Sequence, residues 1–255
     1  MQKQLRHPRM RELERFIGER GHVNTSELCA HFGISEATAR RDLDVLANAG
    51  IVVRVHGGAI AKGEVPPEPP VVQRATRQSE EKQRIGAMAA DLIVPGDTVF
   101  IGSGTTSLAV AHALRERTDL TVVTNSLAVV LALAESNLTL ISLGGMFRAS
   151  ESSFIGHLAI QGLSELRINK IIFGIRGIDV LNGLTNDYLP ETMTDRAILS
   201  AGRRVIVVAD HTKLGRSASA FVAPLSAVDT LVTDFAADPV ICDAISAVGV
   251  QVILA

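Results

Sequence analysis

Apolar residues recur every three or four positions in three consecutive stretches near the start of the chain, which is the pattern of amphipathic helices. The first stretch stops near Gly21, the second is capped at Thr25 or Ser26, and Gly33 separates it from the third. The spacing therefore predicts three short helices with a tight turn between the last two. The inward-facing positions are Met10, Leu13, Phe16 and Ile17 in the first helix, Leu28, Cys29 and Phe32 in the second, and Ala39, Leu43 and Leu46 in the third.

The third helix carries a polar cap and a pair of arginines. Ser35 stands where a hydroxyl can accept a hydrogen bond from a first-turn amide, and Arg40 and Arg41 extend from beside the buried stripe. Residues 48–58 then contain a helix stop, a β-branched strand and a Gly-Gly turn. This order indicates a winged helix-turn-helix, whose last helix enters the DNA major groove. The alternative is a small helical bundle whose arginine pair is only solvated.

Charge is distributed unevenly along the chain. The first 62 residues contain ten lysines and arginines against seven acids, a net charge of +3, whereas the remainder carries −5. The basic part can neutralise DNA phosphates, and the acidic remainder has little use for them. The net charge of the whole chain, −2, would not by itself indicate a nucleic-acid partner.

A proline-rich segment follows the basic part. Residues 61–73 contain four prolines, which lack the amide that helices and central strands need, so the segment is expected to be a semi-rigid linker. It divides the chain into residues 1–60, a winged helix-turn-helix DNA-binding domain, and residues 74–255, a larger domain. Helical periodicity over residues 73–93 predicts one helix at the start of the larger domain.

The larger domain alternates apolar runs with helical segments. The runs are almost continuously Val, Ile and Leu, as expected for strands that are buried on both faces of a parallel sheet. The fold class is therefore α/β with a mainly parallel sheet. The predicted strands are residues 98–102, 120–125, 139–143, 170–174, 204–209, 230–233 and 250–254.

Small and polar residues follow five of these strands. Ligands of open α/β sheets bind beyond the carboxyl ends of the strands, and a glycine-rich loop at a helix start holds an anion. These ends together indicate a pocket for a small anionic polyol, although each one alone could be a turn or a helix cap. The segments are Gly102-Ser103-Gly104-Thr105-Thr106, Thr124-Asn125-Ser126, Gly144-Gly145 with Arg148, residues 174–179, and Asp210-His211-Thr212-Lys213.

Composition excludes several classes of protein. The 47 % apolar content is ample for a packed core, and no stretch approaches the ~18 uninterrupted apolar residues of a membrane span. The charged start has no apolar signal region. Cys29 and Cys242 match no metal or redox spacing and are expected to be core residues. We therefore expect a cytoplasmic protein with no disulfide, no structural metal and no cofactor.

The chain resembles the DeoR family of bacterial transcriptional regulators. In the first domain, residues 9–17, 35–43 and 54–59 carry the resemblance, with Ala39 where the family usually has isoleucine. In the second domain it extends over residues 74–234. The motifs there are Lys82, Gly104-Thr105-Thr106, Thr124-Asn125-Ser126, Gly144-Gly145, Gly174 with Gly177, and Asp210 with Lys213.

The resemblance implies roles for individual residues. It implies a sensor domain similar to ribose-5-phosphate isomerase that responds to phosphorylated sugars or their breakdown products. The implied DNA contacts are Ser35, Thr38, Arg40 and Arg41, with Arg54 and His56 on the wing. The implied effector contacts are Ser103, Gly104, Thr105 and Thr106 around a phosphate with Lys82 assisting, then Asn125, Gly145, Asp179, Asp210 and Lys213, with Arg148 and Arg176 as further candidates.

These features favour a ligand-responsive repressor of a carbohydrate-catabolism operon. Paired DNA-binding modules address half-sites about one helical turn apart, so at least a dimer is expected, and the family resemblance allows a tetramer. One alternative is a sugar-phosphate isomerase with a DNA-binding appendage, because Asp179, Asp210 and Lys213 can act as acids or bases. Another is a constitutive DNA-binding protein with a vestigial pocket.

Residues 185–196 depart from the family average. This polar segment contains the only tyrosine of the chain, Tyr188, where many relatives have a lysine-bearing helix start. Pro190 and Glu191 suit the first turn of an ordinary capped helix. The segment is equally consistent with a loop that sets the sugar specificity of a subgroup.

Overall fold

The computed structural model describes residues 8–20, 22–55, 57–61 and 69–255. Helices and strands alternate over most of this length, as the α/β prediction requires. The helices are α1 (Pro8–Arg20), α2 (Thr25–Phe32), α3 (Glu36–Asn48), α4 (Val71–Arg74), α5 (Ser79–Asp91), α6 (Thr105–Leu114), α7 (Leu127–Leu133), α8 (His157–Ser164), α9 (Leu189–Ala201) and α10 (Pro239–Ala247).

The strands belong to four sheets. They are β1 (His22–Asn24), β2 (Val52–Val55), β3 (Gly58–Ala61), β4 (Thr98–Ile101), β5 (Thr121–Thr124), β6 (Thr139–Ser142), β7 (Met146–Arg148), β8 (Ser153–Ile155), β9 (Ile168–Gly174), β10 (Gly177–Asp179), β11 (Gly183–Asn186), β12 (Gly202–Val208), β13 (Ala220–Ala223), β14 (Thr230–Thr233) and β15 (Gln251–Leu254).

Helices α1 to α3 and strands β1 to β3 form a winged helix-turn-helix. Leu13, Leu28 and Leu43 are completely buried at its centre, which confirms the predicted inward faces. Strands β2 and β3 are the antiparallel wing, and β1 adds a third strand to β3 that the sequence pattern did not reveal. The ion pair between Arg9 and Asp42 (Nε to Oδ2, 3.1 Å) ties α1 to α3.

The cap of α2 is Asn24, so the prediction of Thr25 or Ser26 was wrong. The Asn24 side chain accepts a hydrogen bond from the Glu27 amide (2.7 Å), and the Glu27 carboxylate accepts one from the Asn24 amide (3.0 Å). This reciprocal pair satisfies two helix-start donors at once. The Thr25 hydroxyl instead donates to the Gly57 carbonyl (2.8 Å) and joins α2 to the wing.

The connection into the larger domain is a short helix, a turn and a long helix rather than the single helix predicted over residues 73–93. Helix α4 ends at Arg74, and Gln78 lies in the left-handed region with φ 46° before α5 begins at Ser79. The Val71 amide donates to the Ser150 carbonyl (2.8 Å), so the connection is attached to the loop between β7 and β8. Linker residues 62–68 lie outside the described part of the chain.

All seven predicted strands of the larger domain form one parallel sheet, in the order β15-β14-β12-β9-β4-β5-β6. Successive strand residues belong to different apolar clusters, because side chains alternate between the faces of a sheet. One cluster packs beneath α5, α6 and α7, and the other beneath α8, α9 and α10. The starts of α6 and α9 therefore lie on opposite faces of the sheet.

Two further sheets were not predicted. Strands β7 and β8 form a hairpin, and β10, β11 and β13 form a small antiparallel sheet on the face that α9 covers. Strand β7 contributes Arg148 to the cavity described below. Among the described residues, none of the helices has the length and hydropathy needed to cross a bilayer.

Candidate functional site

The first candidate surface is the exposed face of α3. Ser35 caps the helix by accepting a hydrogen bond from the Thr38 amide (3.3 Å), and the two hydroxyls also contact each other (2.9 Å). Arg40 pairs with Glu36 one turn earlier (3.0 Å). Arg41 is exposed, and within the described part of the chain its guanidinium has no hydrogen bond or ion pair. Arg41 is therefore available to an external acceptor.

Arg54 has a different position from the other DNA-binding candidates. Its Nη1 donates to the Gly58 carbonyl (2.7 Å), and its Nε pairs with Asp44 of α3 (2.9 Å). Both contacts lie within the winged domain and join the wing to α3. His56, the second candidate on the wing, lies outside the described residues.

The second candidate site is a cavity of about 480 Å³ at the carboxyl edge of the parallel sheet. Its volume is in the usual range for a small-molecule site. Ten of the twelve effector-contact candidates line it, and they come from segments far apart in sequence. They are Lys82, Ser103, Gly104, Thr105, Thr106, Asn125, Arg148, Arg176, Asp210 and Lys213.

The loop between β4 and α6 forms one wall of this cavity. Gly104 has φ 104°, which residues with a side chain rarely adopt, and it leads directly into the first turn of α6. The first amides of a helix have no partner within the helix, and the helix dipole favours negative charge there. With the Thr105 and Thr106 hydroxyls beside them, these groups can hold a phosphate or another anion.

Lys82 is buried at the edge of the same wall. Its Nζ donates to the Arg74 carbonyl (3.1 Å) and to the Arg77 carbonyl. The lysine therefore fixes the turn between α4 and α5 against the cavity. Arg74, Arg77 and Gln78 of this turn also line the cavity.

Two effector-contact candidates do not line the cavity. A Cβ atom on Gly145 would lie 2.6 Å from the Ile155 carbonyl oxygen, so this glycine allows β7 and β8 to approach each other. The Asp179 carboxylate accepts hydrogen bonds from the Leu181 amide (3.0 Å) and the Asn182 amide (2.7 Å). Asp179 therefore closes the turn between β10 and β11. The predicted effector contacts of Gly145 and Asp179 therefore have no support from the cavity.

Asp210 and Lys213 line the cavity from the loop after β12. The buried Asp210 carboxylate accepts hydrogen bonds from the Thr212 amide (3.0 Å) and hydroxyl, which stabilises the loop. The neighbouring His211 ring contacts the buried Asp234 carboxylate (Nδ1 to Oδ1, 2.9 Å). Lys213 is thus presented by a loop that carboxylates hold on both sides.

The wall opposite the α6 loop contains acidic residues that were not among the candidates. Glu191 and Asp195 line the cavity from α9, Asp187 from the segment just before it, and Glu151 from the loop between β7 and β8. The polar composition of residues 185–196 was the signal in the sequence. It did not indicate whether the segment faces solvent or a ligand.

Arginines neutralise part of this acidic wall. Arg148 pairs with Glu191 and lies 3.7 Å from Asp187, while its guanidinium stacks 4.4 Å from the Tyr188 ring centroid. Burial nevertheless raises the pKa of Glu191, against the attraction of Arg148. Burial and the nearby Glu191 carboxylate raise the pKa of Asp195 well above its ordinary value. The wall therefore carries less negative charge than its composition suggests.

Comparison with known protein families gives two matches in the expected order. Residues 9–64 match the DeoR-like helix-turn-helix domain, and residues 77–235 match the DeoR C-terminal sensor domain. The first match covers the three helices and the wing. The second covers the cavity residues from Arg77 to Arg216.

Curated proteins with similar sequences include several repressors. The chain is 39 % identical over 219 residues to the glycerol-3-phosphate regulon repressor of Escherichia coli K12, which covers 86 % of each chain. It is 39 % identical to the transcriptional repressor AccR of Agrobacterium fabrum, over 81 % of each chain. It is 31 % identical to a putative aga operon transcriptional repressor of Escherichia coli O157:H7, over 93 % of this chain and 90 % of that protein.

Solved structures with similar folds are more distant. Ribose 5-phosphate isomerase A of Methanocaldococcus jannaschii matches with a TM-score of 0.41 and 13 % identity, over 53 % of this chain and 54 % of that one. The translation initiation factor eIF-2B of Pyrococcus horikoshii OT3 matches with a TM-score of 0.45 and 15 % identity, over 63 % and 64 %. Similarity at this level has no bearing on reaction or partner.

Proposed function

Because the chain belongs to the DeoR family of transcriptional regulators, we propose that it represses a carbohydrate-catabolism operon and is released from DNA by a phosphorylated sugar or related metabolite. The observation that carries this proposal is the cavity. It combines a helix-start anion site with polar and charged residues, in the same chain as an exposed recognition helix.

The DNA-binding part of the proposal depends on α3. Arg41 and Arg40 extend from its exposed face, and arginine recognises both phosphates and guanine edges. Ser35 and Thr38 lie at the helix start, the region that helix-turn-helix proteins direct toward base edges. Arg54 stabilises the wing relative to this helix. We therefore assign direct DNA contact first to Arg41 and a supporting role to Arg54.

The effector part of the proposal depends on the charge balance of the cavity. Among the described residues, seven arginines and lysines line it against five aspartates and glutamates. A positive excess beside the α6 helix start favours an anion, and the hydroxyls of the loop favour one with several oxygen atoms. A phosphate satisfies both conditions. We place it against Ser103, Gly104, Thr105 and Thr106.

The connecting segment offers a route from effector to DNA. Residues 69–78 follow the linker from the winged domain, and four of them line the cavity: Pro69, Arg74, Arg77 and Gln78. An effector that contacts this segment more favourably in one arrangement than in another shifts the equilibrium toward that arrangement. The operator would be released because the effector has different affinities for the two arrangements, since an effector that bound both equally well would shift nothing.

The relatives are transcriptional regulators, not enzymes. Two of the three residues that could act as acids or bases in an isomerase have structural roles instead. Asp179 closes a turn outside the cavity, and Asp210 holds the loop after β12. We therefore propose that the cavity binds its ligand without turning it over. For the operator we propose a homo-oligomer, because one recognition helix covers only one half-site.

The test measures release of the protein from DNA by fluorescence anisotropy. The DNA is a labelled duplex with the promoter sequence of the gene that encodes this protein. Phosphorylated sugars and glycerol 3-phosphate are compared with their unphosphorylated counterparts, and the wild type is compared with Thr105→Ala. We expect release by at least one phosphorylated compound and a loss of about tenfold or more in its potency in the variant. Thr118→Ala, on the exposed turn after α6, is the matched control and should respond normally.

Equal release by phosphorylated and unphosphorylated forms would remove the phosphate from the proposal. An operator affinity that no compound of the panel changes would instead support constitutive DNA binding with a vestigial pocket.

A further inference from the structure

Asn125 has an unsatisfied hydrogen-bond acceptor at the cavity. The residue is 3 % exposed and lines the cavity, and its Nδ2 donates to the Phe154 carbonyl (3.0 Å). That contact fixes the orientation of the amide, because a carbonyl oxygen can only accept. Oδ1 is therefore left as a buried acceptor that has no partner among the described residues. A buried acceptor without a partner is costly, and a ligand donor would satisfy it.

Asp195 has a similar arrangement on α9. Its Oδ2 accepts a hydrogen bond from Asn186 Nδ2 (2.6 Å), and the residue is 5 % exposed. Within the described part of the chain, Oδ1 has no hydrogen-bond partner of its own. Burial raises the pKa of this carboxyl, so Oδ1 can act as an acceptor or, when protonated, as a donor.

Strand β8 joins the elements that carry these two residues. The Phe154 amide donates to the Asn125 carbonyl (2.7 Å), in addition to the side-chain contact. At the end of the same strand, the Gly156 amide donates to the Thr194 hydroxyl (2.9 Å), directly before Asp195 in α9. The two free oxygens thus belong to elements that the same short strand holds together.

We propose that Asn125 and Asp195 form a hydroxyl-recognition subsite, opposite the phosphate-binding loop of α6, that selects a phosphorylated polyol as effector. The inference rests on the proposed function and specifies its ligand. Hydroxyl groups match both oxygens, since a hydroxyl donates to Asn125 and either donates to or accepts from Asp195. A phosphorylated carboxylic acid is disfavoured, because its carboxylate has no hydrogen to donate to Asn125 Oδ1.

The experiment compares ligands of equal carbon number by calorimetry on the full-length protein. Glycerol 3-phosphate is paired with propyl phosphate, which has no hydroxyl groups, and with 3-phosphoglycerate, which carries a carboxylate. Sorbitol 6-phosphate is paired in the same way with hexyl phosphate and 6-phosphogluconate. We expect at least one polyol phosphate to bind about tenfold or more tightly than both of its partners.

The variants Asp195→Ala and Asn125→Ala separate recognition from folding. Each should weaken the polyol phosphate about tenfold and leave the alkyl phosphate unchanged, because only the hydroxylated ligand loses a hydrogen bond. A purely structural role would weaken both ligands equally. Operator binding without effector is measured in parallel, and specific binding of the operator by each variant shows that it is folded.

Wild-type binding of the alkyl or carboxylate ligand as tight as that of the polyol phosphate would overturn this inference and leave the phosphate site intact. Equal weakening of both ligands in the two variants would also overturn it. Failure of every phosphate to bind or to release the operator would refute the proposed function itself.

Discussion

Asp195 combines burial, an acidic neighbour and a single strong hydrogen-bond donor. Water stabilises a carboxylate far better than a protein interior does, and Glu191 adds repulsion. The unfolded chain ionises Asp195 near its ordinary pKa, whereas the folded chain does so only at higher pH. The contribution of this carboxyl to the free energy of unfolding is therefore fully present at low pH and is lost as the pH rises through the pKa of the folded state. Above that pH, the buried Asp195 carboxylate therefore lowers the free energy of unfolding of the protein.

Asp195→Asn should raise the melting temperature at about pH 8, by roughly 2–4 °C for each kcal/mol of relieved penalty. The gain should shrink as the pH falls toward the ordinary aspartate pKa of about 3.9, and it should vanish only below that value, where the wild-type carboxyl is protonated in both folded and unfolded states. Thermal unfolding followed by circular dichroism across this range measures it. Asp119→Asn is the matched control, because Arg117 lowers the pKa of Asp119 and no such gain is expected. A gain that grows on acidification would contradict the assignment.

Among the elements, α3 has one face that packs in the core of the winged domain and another that is exposed and available to DNA. Ala39, Leu43 and Leu46 bury one face completely, and Ser35 caps the start. The opposite face presents Arg41, which contributes nothing visible to the winged domain. Stability and DNA contact should therefore respond to different substitutions in this helix.

Arg41→Ala should weaken operator binding about tenfold or more and leave the melting temperature unchanged. Titrations at several salt concentrations add a second readout, since loss of a phosphate contact reduces the salt dependence by about one ion. Arg115→Ala removes an exposed arginine directly after α6 and serves as the charge control. An unchanged affinity for the operator would refute the role of Arg41.

Elements with a strong repeating pattern could be predicted from the sequence. Helices α1 and α3 and the five inner strands of the parallel sheet bury a regular set of apolar residues, and the edge strands β6 and β15 half-bury theirs. That regularity is visible without any tertiary information. Strands β1, β7, β8 and β10 have only three residues each, too few to establish a period. Their pairing depends on distant partners, so they could not be distinguished from loops.

The same distinction applies to the cavity. Residues at strand ends were identified because parallel strands bring their carboxyl ends to one edge. Gly145 and Asp179 satisfied that rule, but Gly145 allows β7 and β8 to approach each other and Asp179 closes a turn. Strand position alone does not distinguish such roles from a place in the cavity. Glu191 and Asp195 were not identified as contacts, because only the packing of α9 against the sheet brings them to the edge.

For the whole molecule, the important feature is that the connection from the winged domain is also a wall of the cavity. Arg74 pairs with Glu151, and Lys82 holds the carbonyls of Arg74 and Arg77. Gln78 completes the turn in a left-handed conformation that side chains disfavour. A ligand in the cavity therefore meets the same backbone that leads to the DNA-binding part.

Arg74→Ala should reduce the effect of a saturating polyol phosphate on operator affinity, while the operator affinity of the unliganded protein stays the same. The measured quantity is the ratio of the operator Kd with and without the ligand, which expresses the coupling free energy between the two sites. Arg84→Ala, an exposed arginine on α5, is the matched control. An unaltered ratio at saturation would show that the connecting segment does not transmit the signal.

The parallel sheet also has a consequence during synthesis. No two neighbouring parallel strands can be joined by a tight hairpin, and Ile101 of β4 must wait for Ile172 of β9 to be made before the two can pair. The contacts of the winged domain, by contrast, are complete once residue 61 has left the ribosome. Domains near the start of a chain fold first. Each new molecule therefore completes its DNA-binding domain before it completes the cavity that would bind the effector.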